Sequence, residues 1–241
     1  MPFSNAIFAT PYYNETFECF AEGSVLAFKE FKGIAQFYRL DNLTPAVSKI
    51  LKRGRKTTEK FNSFQKYYGF KVHFCNPRSG WEKGTVESNN KHFKKRLTTK
   101  ISLNNLSFTS LQAFQNYVHK ECRSYNKKIE VSRKFAKEPL CELPRNHFET
   151  FQSCVSRVNK YSTLCLDNDT HRYSVPSEYI GCRLEVRAYP TKIEIVDQNE
   201  VIAVHERLFG SKKKASIQVE HIIEQLCKKP GAALQWKYKA V

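Results

Sequence analysis

Aspartate is scarce in this sequence of 241 residues: Asp41 is the only one before Asp167. A site that needs two aspartates from the first two-thirds of the chain is therefore excluded. Nor do the eight cysteines make a framework. Cys19, Cys75, Cys122, Cys141, Cys154, Cys165, Cys182 and Cys227 never stand as C-x-x-C, and no histidine completes a C-x-x-C-H or H-x-x-x-H cluster. That excludes the usual zinc-finger and haem-attachment spacings. Scattered single cysteines are expected as buried thiols in a reducing compartment. The opening residues Met1-Pro2-Phe3-Ser4-Asn5 lack a basic-then-apolar signal pattern. No apolar run approaches the ~20 residues that span a membrane, and no P-loop occurs. A soluble intracellular protein is expected.

What the chain has in excess is positive charge. Forty Lys and Arg against 23 Asp and Glu give a net charge of +17, and the isoelectric point is about 9.5. Such a field attracts polyanions, nucleic acid first among them. A merely basic surface, a ribosome-associated protein or an anionic-membrane binder would carry the same charge. The hydrophobic fraction of 41% and aromatic fraction of 13% belong to a folded chain long enough for one large domain or two small ones.

Hydrophobic periodicity predicts a short strand over 3–10 and a helix over 15–32, with Asn14 as N-cap and Gly33 as its stop. The β-rich run 34–40 ends at Asp41, which puts that acid at the C-terminal end of a strand, where α/β sheets bind ligands. A basic loop at 49–60, a helix over 58–68 stopped by Gly69, and a strand over 70–75 follow. The turn Asn76-Pro77-Arg78-Ser79-Gly80 leads into a helix from about Trp81 to Leu97, and a further amphipathic helix spans 108–126. This order predicts an α/β domain over 1–126. Residues 127–151, basic and without clear periodicity, are expected to be a linker. Strand patterns at 153–159, 161–166, 171–175, 182–189, 191–196 and 200–205 predict a small all-β barrel or sandwich over 152–207. A basic tail over 208–241, with a short helix at about 217–227, completes the chain.

The chemistry is expected on the helix that starts at Trp81. Lys83, Glu87, Asn90, Lys91 and Lys94 recur at helical spacing and share one face. A solvated face with one Glu–Lys pair gives that pattern, and so does a metal-binding carboxylate beside lysines that hold DNA phosphates.

The segment FKVHFCNPRSGWEKGTVESNNKHFKKRL resembles the strand-turn-helix around the last acid of DDE transposases and integrases. More narrowly, the chain resembles IstA-type transposases of the insertion sequence 21 family. Glu15-Thr16, Ala27-Phe28 and Phe31-Lys32-Gly33 match one helix of that family. Leu40-Asp41-Asn42-Leu43 with Ala46-Val47 match its second-acid motif. Tyr68-Gly69-Phe70, Cys75-Asn76-Pro77, Glu82-Lys83-Gly84 and Val86-Glu87 match the third. Tyr173-Ser174-Val175-Pro176, Ile202-Ala203-Val204-His205 and Lys229-Pro230-Gly231-Ala232 carry the resemblance on, so that it covers nearly the whole chain. It implies an RNase-H-like (integrase-core) fold over 1–126, followed by a barrel similar to the C-terminal domain of Mu-like transposases. Asp41 and Glu87 would be the second and third catalytic acids and metal ligands, with two Mg²⁺ or Mn²⁺ ions in the complete family site. Lys83, Lys91, Lys94 and Lys95, together with the Lys212, Lys213 and Lys214 run, would contact DNA. Arg172, Arg183 and Arg187 are either further DNA contacts or ordinary surface residues. Asn42 and Asn76 would lie near the site or serve the turns.

The same resemblance places the first aspartate on a strand upstream of Met1. Glu15, Glu18 and Glu22 fall in a helix that matches a different part of the fold and do not replace it. The expectation is therefore a core incomplete at its N-terminus, a truncated chain inactive by itself. Implied partners are transposon ends and target DNA, further transposase protomers and a separate helper ATPase, in the prokaryotic cytoplasm. A non-catalytic DNA-binding or transposase-modulating protein is the alternative, and an RNA-binding protein a third, for which no RRM or KH signature is present.

Overall fold

The computed structural model describes residues 1, 3–40, 47–50, 55–74, 84–166 and 170–223. It divides into two compact units, Met1–Glu149 and Thr150–Val241. Together they make a mixed α/β protein. Among the described residues no helix is long and apolar enough to cross a membrane.

The first unit is organised by α1 (Phe17–Phe31), β1 (Ile34–Ala35), β2 (Phe37–Leu40), β3 (Val47–Ile50), β4 (Arg55–Thr57), α2 (Glu59–Tyr68) and β5 (Lys71–Phe74). The N-cap of α1 is Thr16, whose hydroxyl accepts from the Cys19 amide, and not Asn14, which accepts instead from the Cys19 thiol. At the other end Lys32 takes the left-handed conformation at φ 54°. The Gly33 amide then closes on the Phe28 carbonyl at 3.0 Å, in the manner of a Schellman motif. Gly33 is needed for a different reason from helix stopping. A Cβ there would lie 2.7 Å from Leu140 Cβ and 3.1 Å from the Cys141 carbonyl, in β6 (Leu140–Cys141), which pairs with β1. The stretch expected as a basic loop holds the β3–β4 hairpin.

Aromatic side chains fill the core of this unit. Phe17, Phe28, Phe61, Phe64, Tyr68 and Phe70 are buried together, with Val25 and Ile34. α1 and α2 are further tied by Lys60, whose ammonium lies 2.9 Å from the Glu18 carboxylate. Burial alone would raise the Glu18 pKa, but the Lys60 contact and a backbone hydrogen bond outweigh it and hold the group below its ordinary value.

α3 (Gly84–Leu103), α4 (Leu111–Asn126) and α5 (Ile129–Phe135) follow. α5 lies in the stretch expected as a linker. Buried Val131 and the Phe135–Phe31 ring contact at 5.4 Å anchor it, too short an apolar pattern to show as periodicity. The expected strand at 3–10 does not form. Asn5 is left-handed at φ 58°, and the Asn126 side chain occupies the backbone that a neighbouring strand would need. Its Oδ1 accepts from the Ile7 amide and its Nδ2 donates to the Ile7 carbonyl.

The second unit pairs β12 (Glu200–Glu206), β11 (Lys192–Asp197), β10 (Arg183–Ala188) and β7 (Gln152–Arg157) in that spatial order, all antiparallel. Gln198 and Asn199, both at positive φ, make the two-residue turn between β11 and β12. A three-stranded sheet joins β13 (Lys214–Ser216), β9 (His171–Ser174) and β8 (Thr163–Leu166). β13 runs parallel to β9 and was hidden in the sequence by its lysine run. Between the sheets lie Leu164, Tyr173, Val175, Leu184, Val186, Ile193 and Ile195.

The expected barrel is not closed by backbone pairing among the described residues. Side chains bridge the two seams instead. Ser156 Oγ donates to the Cys165 carbonyl at 3.0 Å between β7 and β8. Between β12 and the other sheet, His205 Nε2 lies 2.7 Å from the Ser174 carbonyl and His205 Nδ1 2.9 Å from Ser216 Oγ. A carbonyl only accepts, so Nε2 carries the proton and Nδ1 accepts from the serine hydroxyl. Ser174 Oγ accepts from the Gln218 amide and meets His221 Nδ1, both at 2.9 Å, and Gln218 Nε2 donates to the Val204 carbonyl. Of the helix expected at 217–227, the described residues hold a 3-10 turn, Val219–His221, and Ile223 in helical conformation; the remainder lies outside the described residues.

Burial holds both His205 and His221 below the ordinary histidine pKa of 6.5, and their mutual proximity lowers His205 further. A depressed histidine pKa means that the unfolded chain binds the proton more readily, so stability falls with falling pH. The thermal midpoint of the second unit is expected to be flat above pH 6.5 and to drop as pH falls below it. Melts recorded across that range check this, and His205→Gln should flatten the dependence.

Candidate nucleic-acid and metal site

β2 and β5 are parallel neighbours in the register Phe37↔Lys71 to Leu40↔Phe74. The crossover between them contains the β3–β4 hairpin and α2. Their C-terminal ends, Leu40 and Phe74, therefore lie side by side. The chain that leaves β2 begins with Asp41, and the chain that leaves β5 leads into α3, whose first turn contains Glu87. Asp41, Asn42, Asn76 and Lys83 lie outside the described residues. For Glu87 the helical backbone alone is described. Three acids in or before α1 are differently placed: Glu18 is held by Lys60, Glu22 accepts from the Tyr12 hydroxyl at 2.8 Å, and Glu15 is exposed in front of α1. Among the described residues no three His, Cys, Asp or Glu side chains gather as a metal cluster.

Charge on α3 is divided between two sets of residues. Lys100 Nζ lies 2.7 Å from Glu121 Oε2 on α4, and Arg96 lies 3.6 Å from the same oxygen. Glu121 is buried, and these two cations are spent on packing α3 against α4. Lys91, Lys94 and Lys95 are exposed, and no carboxylate among the described residues pairs with them. Unneutralised lysines on one rigid helix attract phosphates, because each phosphate contact releases condensed counterions.

Charge in the second unit is divided along the sequence. Residues 150–206 carry six Lys and Arg against eight Asp and Glu, a net −2 in a chain of net +17. Arg187 pairs with Glu185 at 3.1 Å and lies over the Phe151 ring, Arg172 is half-buried in β9, and Arg183 is exposed at the start of β10. Val155, Val201 and Val204 are exposed on the four-stranded sheet. Lys212, Lys213 and Lys214 are exposed as well, and Lys214 is already part of β13. Sequence reasoning missed the Ser174–His205–Ser216–His221 network; its only signal was that Ser174 and His205 each sat inside a motif.

Residues 143–217 match the family model described as Mu transposase, C-terminal domain. Over 243 residues, 95% of this chain, it is 31% identical to the transposase for insertion sequences IS1326/IS1353 of Pseudomonas aeruginosa and to that of Shigella flexneri. The chain is a homologue of insertion-sequence transposases. It is also 24% identical over 245 residues to a transposase of Aminobacter aminovorans. The chain spans about half the length of these curated relatives, 46% and 47% respectively. The resemblance drawn from short motifs thus holds along nearly all of the chain, and the Mu-type match runs from the segment before β7 into β13.

Proposed function

We propose that this chain is part of a DDE-type, IstA-like DNA transposase, with an RNase-H-like core in the first unit, and that it acts in DNA cleavage and strand transfer. The observation that carries this is the similarity to the IS1326/IS1353 transposases over 95% of the chain. The parallel β2–β5 pair supports it, because Asp41 and the segment leading to Glu87 leave adjacent strand ends.

In this reading Asp41 and Glu87 are metal-holding acids. Their carboxylate oxygens are a hard donor set that fits Mg²⁺ or Mn²⁺. Bound there, such ions activate the attacking water or 3′-hydroxyl and stabilise the leaving oxygen. Lys91, Lys94 and Lys95, with Lys83, would hold phosphates of the DNA beside the acids, and Lys212–Lys214 would add a salt-sensitive contact. No first aspartate is assigned within the chain, so two carboxylates are its contribution to the site. The partners in this reading are transposon ends and target DNA, further transposase protomers, and a separate helper ATPase. Within the second unit the net-negative stretch 150–206, with exposed valines on its four-stranded sheet, supports a protein contact on that sheet, while Lys212–Lys214 carry the DNA contact.

The test is a DNA-binding titration with and without Mg²⁺ or Mn²⁺, scored for nicks in supercoiled plasmid. Glu87→Gln is expected to leave metal-free DNA binding unchanged and to remove the strengthening of DNA binding by Mg²⁺ or Mn²⁺, together with whatever nicking the native chain carries out. Native and Glu87→Gln chains that behave identically while DNA binding persists would favour a non-catalytic DNA-binding role.

A further inference from the structure

A second cation-rich surface lies around α5, well apart in sequence from the lysines of α3. Residues 127–137 contain Lys127, Lys128, Arg133, Lys134 and Lys137 against a single acid, Glu130. Lys134 Nζ is 2.8 Å from Glu130 Oε1, but both side chains are exposed, and such a pair is worth little. Among the described residues no acid pairs with Arg133 or Lys137. Phe3, Glu130, Arg133, Lys134 and Lys137 line one hollow of about 570 Å³.

The aromatic ring in this hollow is out of place by the ordinary rules of burial. Phe3 is 57% exposed, whereas the phenylalanines of the first unit's core are buried. It is held at the hollow by its neighbour's backbone and not by packing: the Ser4 amide donates to Glu138 Oε1 at 3.0 Å, just beyond α5. α5 in turn is fixed by buried Val131 and the Phe135–Phe31 contact. An exposed ring on a fixed segment, flanked by unpaired cations, is the pairing of features that binds single strands: bases stack on the ring and cations follow the phosphates. Duplex DNA would satisfy the cations alone, since its base faces are stacked inside the helix.

We propose that this hollow binds single-stranded DNA, with one unpaired base on Phe3 and the adjoining phosphates on Arg133, Lys134 and Lys137. The proposal rests on DNA being the partner, as above, and adds a preference for DNA with an unpaired end.

The full chain is titrated with a blunt duplex and with the same duplex carrying a short single-stranded overhang that contains 2-aminopurine. The overhang is expected to bind about fivefold tighter or more, since one base–aromatic stack contributes about 1–3 kcal/mol, and the 2-aminopurine fluorescence should be quenched. Phe3→Ala should erase both the preference and the quenching, and Phe3→Trp should keep them. Arg133→Ala with Lys137→Ala should lower the salt slope of overhang binding by about 1.4, at about 0.7 per phosphate contact on a single strand. A native chain with no overhang preference, or a Phe3→Ala chain that retains it, overturns the proposal. Duplex binding without that preference removes this proposal and leaves the transposase function standing. Overhang binding with no duplex binding does the reverse.

Discussion

Replacing Phe64 with alanine is expected to leave the first unit unfolded or barely folded at room temperature. Phe64 is fully buried, and six aromatic rings surround it: Phe17, Phe20, Phe28, Tyr68, Phe70 and Phe148, with centroids between 4.9 and 6.4 Å away. These rings come from α1, α2, the residue that leads into β5 and the segment before the second unit, so the cavity would open where four pieces of chain meet. Truncating a buried Phe costs about 3–5 kcal/mol, against a total stability of about 5–15 kcal/mol for a whole domain. Stiff rings cannot collapse into the space as aliphatic side chains do, which places the effect at the upper end. Circular dichroism melts check this. Phe37→Ala is the control, because Phe37 is 57% exposed and its loss should change stability by less than about 0.5 kcal/mol. A Phe64→Ala chain that melts with the native chain would mean that the aromatic cluster does not hold the unit together.

The same cluster shows what was legible in the sequence and what was not. Helices α1, α2 and α4 and strands β7 to β12 follow from periodicity and turn residues, because their apolar positions repeat within single elements. Gly69 and Gln198-Asn199 mark their turns through positive φ. Two of the misread stretches are ones whose backbone is satisfied from far away in sequence. Residues 3–10 look like a strand, yet Asn126 takes both backbone hydrogen bonds of Ile7 across 119 positions. β13 looks like a solvated lysine run, yet pairs with β9. The two sheets of the second unit are joined by side-chain bridges at His205, Ser174 and Ser216, which no alternation of hydrophobic residues encodes.

The candidate site divides in the same way. Lys91, Lys94 and Lys95 share a face by arithmetic on a helix, and the structure leaves all three exposed. Which cations of α3 are consumed by packing was not legible, because Glu121 reaches Arg96 and Lys100 from another helix. The placement of Asp41 at a strand end came from the sequence pattern, and β2 ends at Leu40, one residue before it. Phe3 drew no attention as a binding residue, since nothing local distinguishes an exposed phenylalanine from a buried one.

The second large effect concerns the two acids themselves. A cation bound by few carboxylates loses most of its affinity when one becomes an amide, because charge and a donor oxygen with two free lone pairs are removed together. Even groups that only support metal ligands change affinity by about 10–100-fold when replaced. Mn²⁺ titration of the full chain, followed by the loss of the free-ion electron paramagnetic resonance signal, reads this directly and requires no turnover. Native protein is expected to bind Mn²⁺ saturably, and Asp41→Asn and Glu87→Gln should each weaken binding by at least about tenfold with unchanged circular dichroism. Equal Mn²⁺ binding by the native chain and both variants would contradict the assignment of Asp41 and Glu87 as the metal-holding acids of a transposase core.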